Sequence, residues 1–252
     1  MLSQAEKGGV QNTIQNCVTV LQNDPILADS IRLNLLSERI DIVKPMGWQR
    51  SGPTLTDTDM MYILRRMEKY GLYSEKRVSA AIRIVANENH YHPIRDYLND
   101  LKWDGTERIS HALHRFLGAA EDELTAEALK IFLLGAIKRV FHPGCKFEMM
   151  LCLVGGQGAG KSSFFRLLAI KDEWFSDDLR RMDDDNVFRK LQGHWIMEMS
   201  EMIATANVKS IEEIKSFLSK QKETYKIPYE THPADRLRQC VFAGTTNRQD
   251  FL

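Results

Sequence analysis

The residues whose types and spacing suit chemistry best are Gly155, Gly160, Lys161 and Ser162, which fit the pattern G-x-x-x-x-G-K-[ST]. A glycine-rich turn built from Gly155, Gly156, Gln157, Gly158, Ala159 and Gly160 lets backbone N–H groups converge on an anionic oxygen. A helix opening at the end of that turn adds its positive N-terminal end. Lys161 can then reach β- and γ-phosphates, Ser162 can offer its hydroxyl to Mg²⁺, and Ser163 completes the cradle.

A phosphate-bound Mg²⁺ needs a carboxylate on its far side. Trp195-Ile196-Met197-Glu198 is an apolar run ending in an acid, with Glu201 three residues on. One of the two acids is expected to hold the metal and the other to polarise an attacking water, and the spacing leaves open which does which. A third apolar run, Cys240 to Gly244, ends in Thr245-Thr246-Asn247, where an asparagine at a strand tip can touch a γ-phosphate and orient water. Between these runs, Lys209, Lys215, Lys220, Lys222 and Lys226 are interleaved with Phe217, Tyr225 and Tyr229. Lysines for phosphates and rings for stacking suit a single-strand-tracking surface, and Lys215, Lys220 and Lys226 are the expected DNA contacts. Lys209 and Lys222 read equally well as the wet side of a helix whose buried side is Ile211, Ile214, Phe217 and Leu218. The acidic cluster Asp177, Asp178, Asp183, Asp184 and Asp185 reads as a solvated loop.

These groups need elements to hold them. Met149 to Val154 is expected to be a buried strand, and Ser163 to Ile170 the start of an amphipathic helix. Upstream, Ile14, Cys17, Val18 and Leu21 recur at helical spacing until Asp24-Pro25. Ile31 to Val43 alternates like a hairpin turning near Ser37-Glu38. Thr56 to Asp59 caps a helix that Gly71 closes, and Ser74 to Asn89 forms another with Val78, Ala81, Ile82 and Val85 inward. In the segment His90 to Ile109, Pro93 starts a helix, Trp103 and Tyr97 are expected to pack it, and His90 and His92 read as surface residues. Helices over Ile109–Leu117 and Glu123–Phe141 come next, broken by His142-Pro143-Gly144. The division between an N-terminal module (1–118) and a catalytic core (119–252) is expected near residue 118.

The chain has 252 residues, 43% of them hydrophobic, which is ordinary for a globular protein. No apolar run approaches the roughly 18 residues of a membrane span, and no secretion signal opens the sequence, so a cytoplasmic location away from membranes is expected. Cys17, Cys145, Cys152 and Cys240 are too scattered for a disulfide or zinc framework. The formal net charge of zero excludes a globally basic field, so any nucleic-acid contact must be local.

Taken together, GGQGAGKSS, LQGHWIMEMSEM, IKSFLSKQKETYKIPYE, RQCVFAGTTN and the upstream HPIRDYLNDLKWDGTERI resemble the virulence-associated protein E family of phages and pathogenicity islands, over nearly the whole chain. That family's ATPase core is similar to those of superfamily 3 helicases and poxvirus-type primase-helicases. The resemblance implies a hexameric, Mg²⁺-dependent NTPase acting on DNA in replication of a mobile element, with a primase or other replication partner. It makes Lys161 and Ser162 the phosphate and metal contacts, Glu198 and Glu201 the acidic motif and Asn247 the sensor. Lys226 departs from the arginine more usual before Pro-Tyr, which keeps charge but loses a bidentate fork, and Thr224 departs slightly too. The sequence stops at Leu252, before the segment where an arginine finger is expected. Such a finger contributes about 10³- to 10⁵-fold in rate, so nucleotide binding with weak turnover is the expectation for this chain.

The expected fold is therefore α/β: a mostly helical N-terminal module with a small hairpin, then an incomplete P-loop core of the AAA+-like, superfamily 3 type. The expected function is ATP-driven DNA unwinding or translocation, with ATP and Mg²⁺ as cofactors and a homo-hexamer as the assembly. Two rivals share the same loop: a small-molecule kinase, and a non-catalytic nucleotide-binding module that regulates a complete helicase.

Overall fold

The computed structural model describes residues 2–4, 8–179, 187–200, 208–225 and 234–247. Glu201, Lys226, Tyr229 and Asp183 to Asp185 lie outside them, as do the side chains of Lys209 and Tyr225. The chain divides into two compact units, Met1–Asp96 and Tyr97–Leu252. The division precedes the expected one at 118 because residues 97–118 pack with the second unit, α5 (Ile109–Leu117) lying on α6 (Glu123–Phe141).

The first unit joins helices to one hairpin. Thr13 caps α1 (Ile14–Asn23) by accepting from the Asn16 N–H, and Asp24 closes it. Strands β1 (Ile31–Asn34) and β2 (Arg39–Ile42) pair antiparallel, and Glu38 takes the positive φ that the tight turn requires. Thr56 and Asp59 form a reciprocal capping box at the start of α2 (Asp57–Met67). The inward face foreseen for α3 (Glu75–Glu88) is buried with Cys17, Leu21, Ile31, Ile42 and Ile63. Buried Asp24 ties α1 to α2 by accepting from Arg66 and from the Tyr70 hydroxyl. Burial alone would push its carboxyl up, and these bonds instead hold it at about 2.

Helix α4 (Pro93–Asp100) starts at Pro93 as expected. His92 is buried, not a surface residue: its Nδ1 accepts from the Arg95 N–H and so caps the helix. Trp103 also departs from expectation and is 81% exposed. Its turn is satisfied by polar bonds, Asp104 accepting from the Thr106 N–H and from both terminal nitrogens of Arg108, so nothing draws the indole inward. Tyr97 does pack, edge-on to Trp174.

The second unit is built on a wholly parallel four-stranded sheet in the order β3 (Met150–Val154), β8 (Val241–Thr246), β5 (Ile196–Glu198), β4 (Phe175–Ser176). Parallel strands need helices on both faces. On one face, Met150, Cys152, Met197 and Phe242 meet α8 (Val187–Leu191) and Ile214, Phe217 and Leu218 of α9 (Val208–Ser219). The other face carries α7 (Lys161–Leu168), whose Phe165 packs on Phe132 of α6. Strand β3 is only half-buried, with Val154 45% exposed, because among the described residues it pairs with β8 alone. The centre of the sheet is β8, buried along its whole length. An antiparallel pair, β6 (Lys222–Tyr225) and β7 (Ala234–Leu237), lies between α9 and β8 in sequence. Among the described residues no helix is long and apolar enough to cross a membrane.

Candidate nucleotide site

The carboxyl ends of β3, β5 and β8 open on the same region, as ligand sites in open parallel sheets do. After β3, the Gly155 N–H donates to Thr246 O on β8, which turns the loop across the sheet end. Gly158 and Gly160 hold φ of 80° and 81°, a conformation that side chains disfavour, and Gly160 is the N-cap of α7. These requirements account for glycine at both positions. The loop from Gln157 to Ser163 joins Ser200, Thr245, Thr246 and Asn247 in lining a cavity of about 620 Å³.

Lys161 opens α7 and curls back over the loop. Its Nζ donates to Gly155 O (2.7 Å), to Gly156 O (2.8 Å) and to Asn247 Oδ1 (3.1 Å), using all three ammonium protons on neutral acceptors. Among the described residues no carboxylate pairs with it. An anion entering the loop can therefore claim the ammonium without breaking an ion pair.

Ser162, on the next residue, donates its hydroxyl proton to Glu198 Oε1 at 2.7 Å. Glu198 ends β5 and is 1% exposed. Thr245 donates to the same Oε1, and Oε2 is buried with no partner among the described residues. A carboxylate taken out of water in this way carries a cost unless a cation compensates it. Two hydroxyls and a carboxylate make an all-oxygen donor set, which fits a hard cation such as Mg²⁺ and suits neither zinc nor copper.

The structure thus brings together Lys161, Ser162, Glu198 and Asn247, which the sequence picks out from three separate runs. It adds Thr245, which the sequence reading passed over. The available signal was a buried hydroxyl in an apolar central strand, which must find a partner, two residues before Asn247 on the same face. Lys215 projects from α9 into solvent and pairs with Glu212 at 2.9 Å. Lys220 lies 3.9 Å from Glu223 and over the Phe217 ring. Lys222 pairs with Asp235 across β6 and β7. None of these lysines lines the cavity.

A model of the virulence-associated protein E-like domain matches residues 98–252, more than half of the chain. The chain belongs to the virulence-associated protein E-like family. The match starts within two residues of the second compact unit, so the part of the chain that carries this family's signature is the unit that carries the cavity. The resemblance read from the sequence extends further upstream than this match. No significant match is found among curated proteins. Among solved structures, three of the C-terminal region of NrS-1 superpose with TM-scores of 0.50, 0.51 and 0.53 at 12%, 14% and 11% identity. They cover 86%, 94% and 94% of this chain, which spans 53%, 57% and 58% of theirs. At such identity they show a shared fold. The virulence-associated protein E-like chain thus spans little more than half the length of the structures it resembles.

Proposed function

We propose that this chain is a Mg²⁺-dependent ATPase of the helicase or translocase type, acting on DNA in the replication of a phage or other mobile element. One observation carries the reading: Lys161, Ser162 and Asn247 line a cavity of about 620 Å³ at one end of a parallel sheet, with Glu198 bonded to Ser162 from behind it. In it the glycine-rich loop and the α7 N-terminus hold the β- and γ-phosphates, and Lys161 exchanges its loop carbonyls for phosphate oxygens. Mg²⁺, when bound, neutralises charge developing on the phosphates. Ser162 and the buried Glu198 would hold it. Release of Lys161 frees the Asn247 amide to orient a water. Glu201 is proposed as the acid that polarises this water, and Lys215, Lys220 and Lys226 as strand contacts. The assembly proposed is a homo-hexamer.

The family of the chain and the lysine-aromatic stretch favour DNA over a small metabolite as the molecule acted on. Hydrolysis of ATP by the protein, measured with and without single-stranded DNA, separates these. Stimulation by DNA, abolished by Lys161→Ala, is the expected result. Hydrolysis indifferent to DNA and stimulated by a metabolite acceptor would place the site among small-molecule kinases.

A further inference from the structure

Thr245 belongs to this site in a way that neither the motif nor the family match assigns. Glu198 stands opposite Ala243 in the β5–β8 register, and Thr245 is two residues further along β8, so all three share one face of the sheet. Glu198 Oε1 accepts from both Ser162 Oγ and Thr245 Oγ1. A hydroxyl has one proton and two lone pairs, so donation to Glu198 commits the proton and leaves the lone pairs to be presented elsewhere. Ser162 and Thr245 both line the cavity, whereas Glu198 lies almost wholly buried behind them. The carboxylate thus orients two hydroxyl oxygens at once and supplies the negative charge that makes them better cation ligands.

We propose that Thr245 is a second hydroxyl of the cation site, holding Mg²⁺ or a water of its shell alongside Ser162, with Glu198 as the shared buried anchor. This rests on the reading of the cavity as a Mg²⁺–nucleotide site. Thr245→Val removes the hydroxyl while keeping the branched shape that suits a buried strand, and Thr245→Ser keeps the hydroxyl.

The test is the affinity of a fluorescent, non-hydrolysable ATP analogue, titrated at increasing Mg²⁺, together with Mn²⁺ binding followed by electron paramagnetic resonance in the presence of the same analogue. In Thr245→Val the cation concentration needed for half-maximal enhancement should rise by about tenfold or more, within the range found for partners of metal ligands. Thr245→Ser should restore most of the cation response. An unchanged cation response in folded Thr245→Val overturns the assignment of Thr245 and leaves the nucleotide reading standing. Failure of the wild-type chain to bind the analogue at any Mg²⁺ overturns the nucleotide reading, and the assignment with it. If Thr245→Val does not fold, Thr245→Ala makes the same comparison.

Discussion

At the residue scale the site turns on a conflict that Glu198 resolves only in part. A carboxylate that is 1% exposed, with one oxygen accepting two hydrogen bonds and the other finding no partner among the described residues, costs free energy in the cation-free protein. Glu198→Gln removes the charge while keeping an oxygen able to accept from Ser162 and Thr245. In urea unfolding without divalent cation, relief of the buried charge is offset by an amide NH2 that finds no acceptor among the described residues, so this variant is expected to stay within about 1 kcal/mol of the wild type. In exchange it should lose the enhancement of nucleotide binding by Mg²⁺. Loss of more than about 2 kcal/mol in the cation-free protein would mean that the carboxylate is held by an ion pair outside this set. Lys161 and Ser162 were legible in the sequence because they complete a glycine-loop pattern, and Glu198 and Asn247 because each is a polar residue closing an apolar run. Thr245 was not, since a threonine in a strand is ordinary until the neighbouring strand shows what it touches.

At the scale of elements, α6 shows the limit of periodicity most clearly. Its sequence is apolar nearly all round, so it reads as a helix without saying which side is in. The structure answers with Arg139, wholly buried, which donates to Cys240 O at the start of β8 (2.8 Å) and to Phe147 O (2.7 Å) before β3. Burial lowers its pKa from the usual arginine value, with nearby Arg238 adding repulsion. Arg238 in turn donates to Phe217 O near the end of α9 and pairs with Glu223 on β6. Together the two guanidiniums tie α6, α9 and β6 to the strand that ends in Thr245 and Asn247.

Arg139→Met keeps apolar volume and removes the donor to the Cys240 and Phe147 carbonyls and a longer one to Leu218 O. Bonds from a charged donor contribute about 1.5–3 kcal/mol each, against which stands the recovered desolvation of the guanidinium, so a net loss of about 1–3 kcal/mol is expected. It should register as a lower urea midpoint at unchanged slope. Stability equal to or above that of the wild type would show that desolvation outweighs the two bonds. The hairpin and helices of the first unit were readable because local signals decide them: the Thr56–Asp59 cap and the turn at Glu38 both act within a few residues. The half-burial of β3, the exposure of Trp103 and the burial of His92 depend on neighbours distant in sequence or on turn bonding, which hydrophobic patterning does not encode.

At the scale of the whole molecule, the family match and the second compact unit coincide, and the cavity with its converging residues lies within that unit. The α/β class and the three strands of the core were legible in three apolar runs, each followed by a polar group. The strand order, with β8 central between the strands bearing Lys161's loop and Glu198, was not, because pairing is set by contacts between segments some 40 to 90 residues apart. That central placement is what lets one strand serve the loop through Asn247 and the carboxylate through Thr245.

The central claim is that this sheet end binds Mg²⁺ and a nucleoside triphosphate through Lys161. Isothermal calorimetry of the chain with a non-hydrolysable ATP analogue, with and without Mg²⁺, measures it directly. The expected result is one site per chain, tightened by Mg²⁺, with Lys161→Ala weakening binding by about 100-fold or more, the loss expected for a charge-assisted contact of about 3 kcal/mol. Binding that is absent in the wild type, or equal in a folded Lys161→Ala protein, would contradict it.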